Sequence, residues 1–132
     1  MVKVLDASAL MTYLEKEPGY EKIKDLFVKA TESGRHLLMS TVNWGEVFYV
    51  LIKDHGVEEA ERIQRIIETL PIEFVPPDLI TAKQAALYKA TKKLPYADCF
   101  AAALAKVQKG EVVTGDKEFK VVEHEVKVVW IT

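Results

Sequence analysis

The chain has 132 residues, 49% of them apolar and 29% charged, which is the balance of a single globular domain with a sizeable core. One cysteine, Cys99, excludes an internal disulfide and a thiolate zinc cluster, and no apolar stretch approaches the roughly 20 residues needed to span a bilayer. The net charge of −2 is not the strongly basic balance expected of a nucleic-acid binder, although cations bound to a carboxylate site would reverse the local field.

Met1-Val2-Lys3 leads directly into an apolar run with no secretory signal, so a reducing cytoplasm is the expected location. That run, Val2–Leu5, predicts a strand closed by Asp6. Helical patterns follow at Ser8–Glu15 and Tyr20–Glu32, with Gly34 as a C-terminal cap. Leu37–Ser40 predicts a second strand, and Thr41 is the N-cap expected for a helix over Val42–His55. Gly56 separates this helix from the next, Glu58–Thr69. Ile72–Val75 predicts a third strand, and Pro76-Pro77 after it suits a sheet edge. Asp78 caps a helix over Leu79–Lys92, and Pro95 opens one over Tyr96–Lys109, with Gly110 as its expected cap. Glu111–Thr114 and Val126–Ile131 complete five strands, the last bordered by Glu123, Glu125 and Lys127 and so also expected at an edge. Strands alternating with longer helices predict an α/β fold with a mostly parallel central sheet and one domain over residues 1–132.

Of the six Asp residues in the chain, Asp6, Asp98 and Asp116 fall at breaks between elements, and Glu46 joins them just after the second strand. Asp6 and Asp116 follow strands and belong at the carboxyl edge of a parallel sheet, where open α/β folds bind ligands. Glu46 and Asp98 lie near helix N-termini that face the same crevice. Carboxylates gathered from separate elements suit a hard divalent cation, and without one their mutual repulsion raises their pKa values. Each acid also has a plain structural role open to it: Asp6 as a helix cap, Glu46 on a solvated face, Asp98 against the helix dipole, Asp116 in a turn. Ser8, Asn43 and Thr114 are short polar neighbours able to orient carboxylates.

The chain resembles the PIN-domain nucleases. The resemblance is carried by Leu5-Asp6-Ala7-Ser8-Ala9-Leu10, by the helix with Glu46, by Pro95-Tyr96-Ala97-Asp98-Cys99-Phe100-Ala101-Ala102-Ala103, and by Val113-Thr114-Gly115-Asp116-Lys117-Glu118-Phe119. It covers the whole chain and is nearest to the short VapC-like toxins of prokaryotic toxin–antitoxin pairs. It implies a three-layer α/β/α sandwich around a five-stranded sheet and a metal-dependent endoribonuclease. By the family pattern Asp6, Glu46, Asp98 and Asp116 hold one or two ions of Mg²⁺ or Mn²⁺, Thr114 lies in the catalytic pocket, and Ser8 and Asn43 lie beside it. The implied partners are an RNA substrate, a small VapB-like antitoxin and a second copy in a homodimer, with no membrane. A PIN nuclease of RNA processing without a toxin role, or a non-catalytic PIN binding module, are the alternatives.

Lys92, Lys93 and Lys117 are further candidates for phosphate contact, with a solvated helix end as the competing reading. Phe48-Tyr49-Val50-Leu51-Ile52 is apolar nearly all round its helix, so one face is expected in the core and another is available to a partner. Two other phosphotransfer classes fit poorly. A haloacid-dehalogenase-like phosphatase needs a second acid where Ser8 stands, and a receiver-like domain needs an Asp where the third strand runs into Pro76. No glycine-rich phosphate loop is present.

Overall fold

Period-two alternation in short strands decides how this sheet is covered. In β1 (Lys3–Leu5), Val4 and Leu5 are both buried but face opposite sides, and Val112 and Val113 of β4 (Glu111–Thr114) repeat the pattern. The computed structural model describes residues 1–132 and contains five parallel strands in the order β3-β2-β1-β4-β5. β2 is Leu37–Ser40, β3 is Ile72–Val75 and β5 is Lys127–Trp130. The two strands expected at edges, β3 and β5, are the edges, and pairing is parallel throughout.

Helices α1 (Ala7–Glu15), α2 (Tyr20–Ser33), α3 (Thr41–His55) and α4 (Val57–Ile67) supply one core, around Leu5, Leu10, Phe27, Met39, Val47 and Leu51. Helices α5 (Leu79–Thr91) and α6 (Tyr96–Val107) supply the other, around Val4, Tyr88, Leu104 and Val112. This is the expected α/β/α sandwich. In α6 every residue from Asp98 to Ala105 is buried. Its small alanines let this central helix lie close on the sheet, and Cys99 is an enclosed small side chain within it.

Several boundaries shift for local reasons. Ser40, not Thr41, caps α3, its hydroxyl accepting from the Val42 N–H at 3.2 Å. Gly34 takes the left-handed conformation that ends α2, as expected. At the end of α6 that position belongs to Lys109, with φ 56°, rather than to Gly110. The N–H groups of Lys109 and Gly110 close the helix on Lys106 and Ala105. An element not expected from the sequence, a 3₁₀ helix over Lys117–Val122, links β4 to β5 and buries Phe119 and Val122.

The far end of the sheet carries one ionic lock. Lys3, Glu111 and Lys127 stand in register across β1, β4 and β5, and both ammonium groups meet the nearly buried Glu111 carboxylate, at 2.8 and 3.0 Å. Burial opposes ionisation of Glu111, but the two lysines outweigh it and hold its pKa below the ordinary value. A depressed acid stabilises the fold above its unfolded pKa and loses that contribution as pH falls. Glu111→Gln should therefore cost about 2 kcal/mol at neutral pH and little near pH 3. Urea unfolding at both pH values checks this; an equal loss at each would contradict it.

Candidate metal centre

The strand order reverses between β1 and β4, where β1 is flanked by β2 on one side and β4 on the other. Chains leaving the two adjacent strands turn to opposite faces, and a crevice opens at their carboxyl ends. Asp6 leaves β1 there and Asp116 follows β4. Asp98 is the third residue of α6, and Glu46 lies just beyond the first turn of α3. A bond from the Asn43 Nδ2 to the Ala97 carbonyl, 2.9 Å, ties the starts of these two helices together. Asn43 thereby links the helices that carry Glu46 and Asp98, while its own Oδ1 is enclosed and meets no donor.

Asp6 is the most constrained of the four. It is 1% exposed and caps α1, accepting from the Ala9 N–H at 2.8 Å. Its structural and functional readings are therefore compatible. The Ser8 hydroxyl lies 2.9 Å from both of its oxygens, and the Thr114 hydroxyl donates to Oδ2. The same two hydroxyls accept from the backbone on the other side of the crevice, Thr114 from the Asp116 N–H at 2.9 Å and Ser8 from the Gly115 N–H at 3.2 Å. Ser8 and Thr114 thus lock the end of β1 to the turn after β4. Asp116 in turn caps the 3₁₀ helix through the Glu118 N–H.

That short helix brings in a further acid, Glu118, from just beyond Asp116. One carboxylate oxygen each from Asp98, Asp116 and Glu118 lie within 4.8 Å of one another. Glu118 comes beside Asp116 because the chain after β4 turns at once into the 3₁₀ helix, anchored by buried Phe119 and Val122. Glu46, Asp98 and Asp116 share a cleft of about 300 Å³ with Ser8. Of the lysines considered, Lys92 is paired with Glu125 at 2.9 Å, whereas Lys93 and Lys117 are exposed and unpaired, Lys117 next to Asp116.

The electrostatics are those of an uncompensated anionic site. Burial pushes the Asp98 pKa up to about 7, helped by the charges of Asp6, Glu46, Asp116 and Glu118. Burial also raises Asp6 to about 6, against the hydrogen bonds from Thr114, Ala9 and Ser8. Glu46 is raised as well, by burial and then by Asp116. Its Oε1 is enclosed and meets no hydrogen-bond donor. Nor does any donor or cation of the protein reach the Asp98 carboxylate, although Asp98 is only 8% exposed. An all-oxygen set with unmatched, enclosed acceptors fits a hard divalent cation.

A pH dependence follows. Carboxylates whose folded pKa is raised stabilise the fold below their unfolded pKa, near 4, and lose that contribution as pH rises through the folded value. The metal-free protein should therefore lose stability between about pH 4 and 7, by an amount on the order of a few kcal/mol, and level off above. A divalent cation held by the ionised forms should restore the loss at pH 8 while doing little at pH 5, with Mn²⁺ as the probe. Melting temperatures at both pH values, with and without Mn²⁺, decide the matter. A metal-free melting temperature that rose from pH 5 to pH 8 would refute the assignment.

Fold and site together define an α/β/α domain with carboxylates converging at the topological switch point of a parallel sheet. Residues 3–125 match the family model described as PIN domain, and the chain belongs to that family. Among solved structures, a DNA-bound VapBC from Salmonella typhimurium aligns over 100% of this chain and 99% of its own, with a TM-score of 0.78 and 19% identity. FitAcB from Neisseria gonorrhoeae aligns over 98% of each chain (TM-score 0.73, 18% identity). VapC20 from Mycobacterium tuberculosis, described as a sarcin-ricin loop cleaving toxin, covers 89% of this chain and 92% of its own (TM-score 0.67, 13% identity). At these identities the likeness is one of fold. No curated protein matches the sequence. No helix is long and apolar enough to cross a membrane.

Proposed function

We propose that the protein is a divalent-metal-dependent endoribonuclease and the toxin of a toxin–antitoxin pair. The observation that carries the chemistry is Asp98, enclosed, unpaired, and within 4.8 Å of Asp116 and Glu118. Asp6, Glu46, Asp98 and Asp116 are the residues assigned to Mg²⁺ or Mn²⁺, one ion or two, with Glu118 added at the rim. The bound metal supplies charge for the attacking and leaving oxygens of a phosphodiester and lowers the pKa of water. The protein supplies placement. Ser8 and Thr114 hold Asp6 in one orientation, Asn43 fixes the spacing of α3 and α6, and Asp116 is set by its own turn. Lys93 and Lys117 are exposed cations suited to holding the RNA backbone near a negatively charged site.

The toxin reading draws on the fold shared with VapBC and FitAcB over nearly the full chain. A small antitoxin and a homodimer are the partners it implies. Exposed Tyr49, on the outer side of α3 opposite buried Leu51, provides apolar surface for such contacts.

Purified protein should cut structured or unstructured RNA in Mg²⁺ or Mn²⁺ and stop in EDTA. Folded, antitoxin-free protein that cut no RNA under any of these conditions would overturn the nuclease assignment. Glu118→Gln should weaken Mn²⁺ binding by roughly 10-fold to 100-fold in calorimetric titration while leaving the circular dichroism spectrum unchanged. Unaltered Mn²⁺ affinity would remove Glu118 from the site. A pull-down from the native host that returned no small partner would refute the toxin role alone.

A further inference from the structure

A second cavity, of about 480 Å³, adjoins the cleft that holds Glu46. The two share Ser8, Met11 and Asp116. The second continues between the end of α1 and the end of β5, past Thr12, Glu17, Pro18, Gly115 and Ile131. A strand of RNA whose phosphate rests on the carboxylate site must place a neighbouring nucleotide beside it, and this cavity is in range.

Its walls are fixed in advance. Gly19 has φ 102°, and a Cβ there would stand 2.9 Å from the Ile131 carbonyl, so the segment after α1 is pressed onto the end of β5. The Lys22 ammonium bonds the Trp130 carbonyl, and the Ile131 N–H bonds the Thr114 carbonyl. The Glu17 N–H donates to the Thr12 carbonyl at 3.0 Å, which sets these two residues side by side. Thr12 is 8% exposed and lines the cavity, yet its hydroxyl takes part in none of the side-chain hydrogen bonds of the protein. A hydroxyl on a largely enclosed residue, free of protein partners and open to a cavity, marks a place for a polar ligand.

The lining chooses the ligand. Glu17 and Asp116 make it anionic, so phosphate is disfavoured and an uncharged base is favoured. Met11 and Ile131 offer apolar surface for the faces of a ring. Glu17 presents a carboxylate, which accepts two parallel hydrogen bonds. Guanine offers two adjacent donors on its Watson–Crick edge, N1–H and the N2 amino group, with O6 next to them for the Thr12 hydroxyl. Adenine and cytosine place a ring-nitrogen acceptor beside their amino group, and uracil flanks its one N–H with carbonyls, so each sets an acceptor against the carboxylate. We propose that this cavity is a guanine-selective subsite flanking the scissile phosphate, with Glu17 and Thr12 as its reading residues. The subsite rests on the nuclease assignment for its place in a reaction, but its occupancy is testable without one.

Ribonucleosides carry no phosphate and so probe the cavity independently of the metal centre. In EDTA, guanosine should shift the methyl NMR signals of Thr12 and Ile131 and bind at least about tenfold more tightly than adenosine, cytidine or uridine. Glu17→Gln should abolish the preference, and Thr12→Val should reduce it. In RNA cut by the wild type, guanosine should adjoin the mapped sites. Glu17→Gln should broaden that profile without altering Mn²⁺ affinity. Equal shifts with all four nucleosides, or none at either methyl, would overturn the proposal. Guanosine selectivity in a protein that cuts no RNA would support the subsite while removing the nuclease reading.

Discussion

Asp98→Asn should raise the melting temperature of the metal-free protein at pH 8 by roughly 10 °C and reduce metal-dependent RNA cleavage by at least about a thousandfold. Both effects have one cause. Asp98 is 8% exposed, its pKa is pushed up to about 7 by burial and then by four neighbouring acids, and no cation of the protein compensates it. At pH 8 the fold therefore holds an ionised group that it disfavours. An amide of the same shape removes that cost, worth on the order of 3 kcal/mol, and about 3 to 4 °C per kcal/mol applies to a domain of this size. The same substitution removes an anionic oxygen from the three carboxylates that lie within 4.8 Å of one another. Gain of stability with loss of activity is the mark of a group placed for chemistry at the expense of the fold. Differential scanning fluorimetry at pH 5 and pH 8, beside a cleavage assay, tests both halves. A variant less stable than the wild type at pH 8 would show Asp98 to be a structural acid.

Gly110→Ala should be the most damaging small substitution, costing about 3 kcal/mol or more and lowering the melting temperature by roughly 10 °C. The cause is proximity rather than backbone conformation. A Cβ at Gly110 would lie 2.4 Å from the Val2 carbonyl oxygen and 2.9 Å from the Val2 Cβ. That carbonyl cannot retreat freely, because it accepts from the Glu111 N–H at 2.8 Å and begins the pairing of β1 with β4. Gly45 provides the contrast. It lies inside α3 with nothing within 4 Å of its Cβ position, so Gly45→Ala should stabilise by up to about 1 kcal/mol. Urea denaturation of the two variants checks the pair. Equal effects would mean that Val2 yields and the contact is soft.

Gly110 also shows where sequence reading stops. A glycine after a helical pattern suggests a left-handed cap, and at Gly34 that inference holds. At the end of α6 a lysine took the role, and the glycine answers to a strand more than 100 residues away in sequence. Strands were legible because their apolar runs are short and bounded, and the edges because Pro76-Pro77 and Lys127 mark them. The gathering of Asp6, Glu46 and Asp116 at one edge followed from their places after β1, β2 and β4, whereas Asp98 follows a helix, α5, and reaches that edge through the start of α6. Glu118 was not legible, because a 3₁₀ turn of six residues is too short for a helical period to appear. Thr12 and Glu17 were hidden for another reason. On α1 and its exit they read as ordinary helix-end residues, and only the Ile131 contact at Gly19 makes a cavity of them.

The order of strands bears on when the protein becomes competent during its own synthesis. β1 emerges first, yet it lies at the centre of the sheet, and the Thr114 hydroxyl that orients Asp6 belongs to a residue 108 positions later. The local contacts from Ser8 and the Ala9 N–H hold Asp6 from one side only, and Thr114 completes them from β4. A nascent chain can form the β1–β2–β3 side of the sheet while still tethered to the ribosome, but Asp98, Asp116 and Glu118 are then absent or unplaced. Residues 98–118 thus complete a site that the first strand only begins. The carboxylate cluster is therefore assembled only after residues 98–118 have been made and β4 has paired with β1.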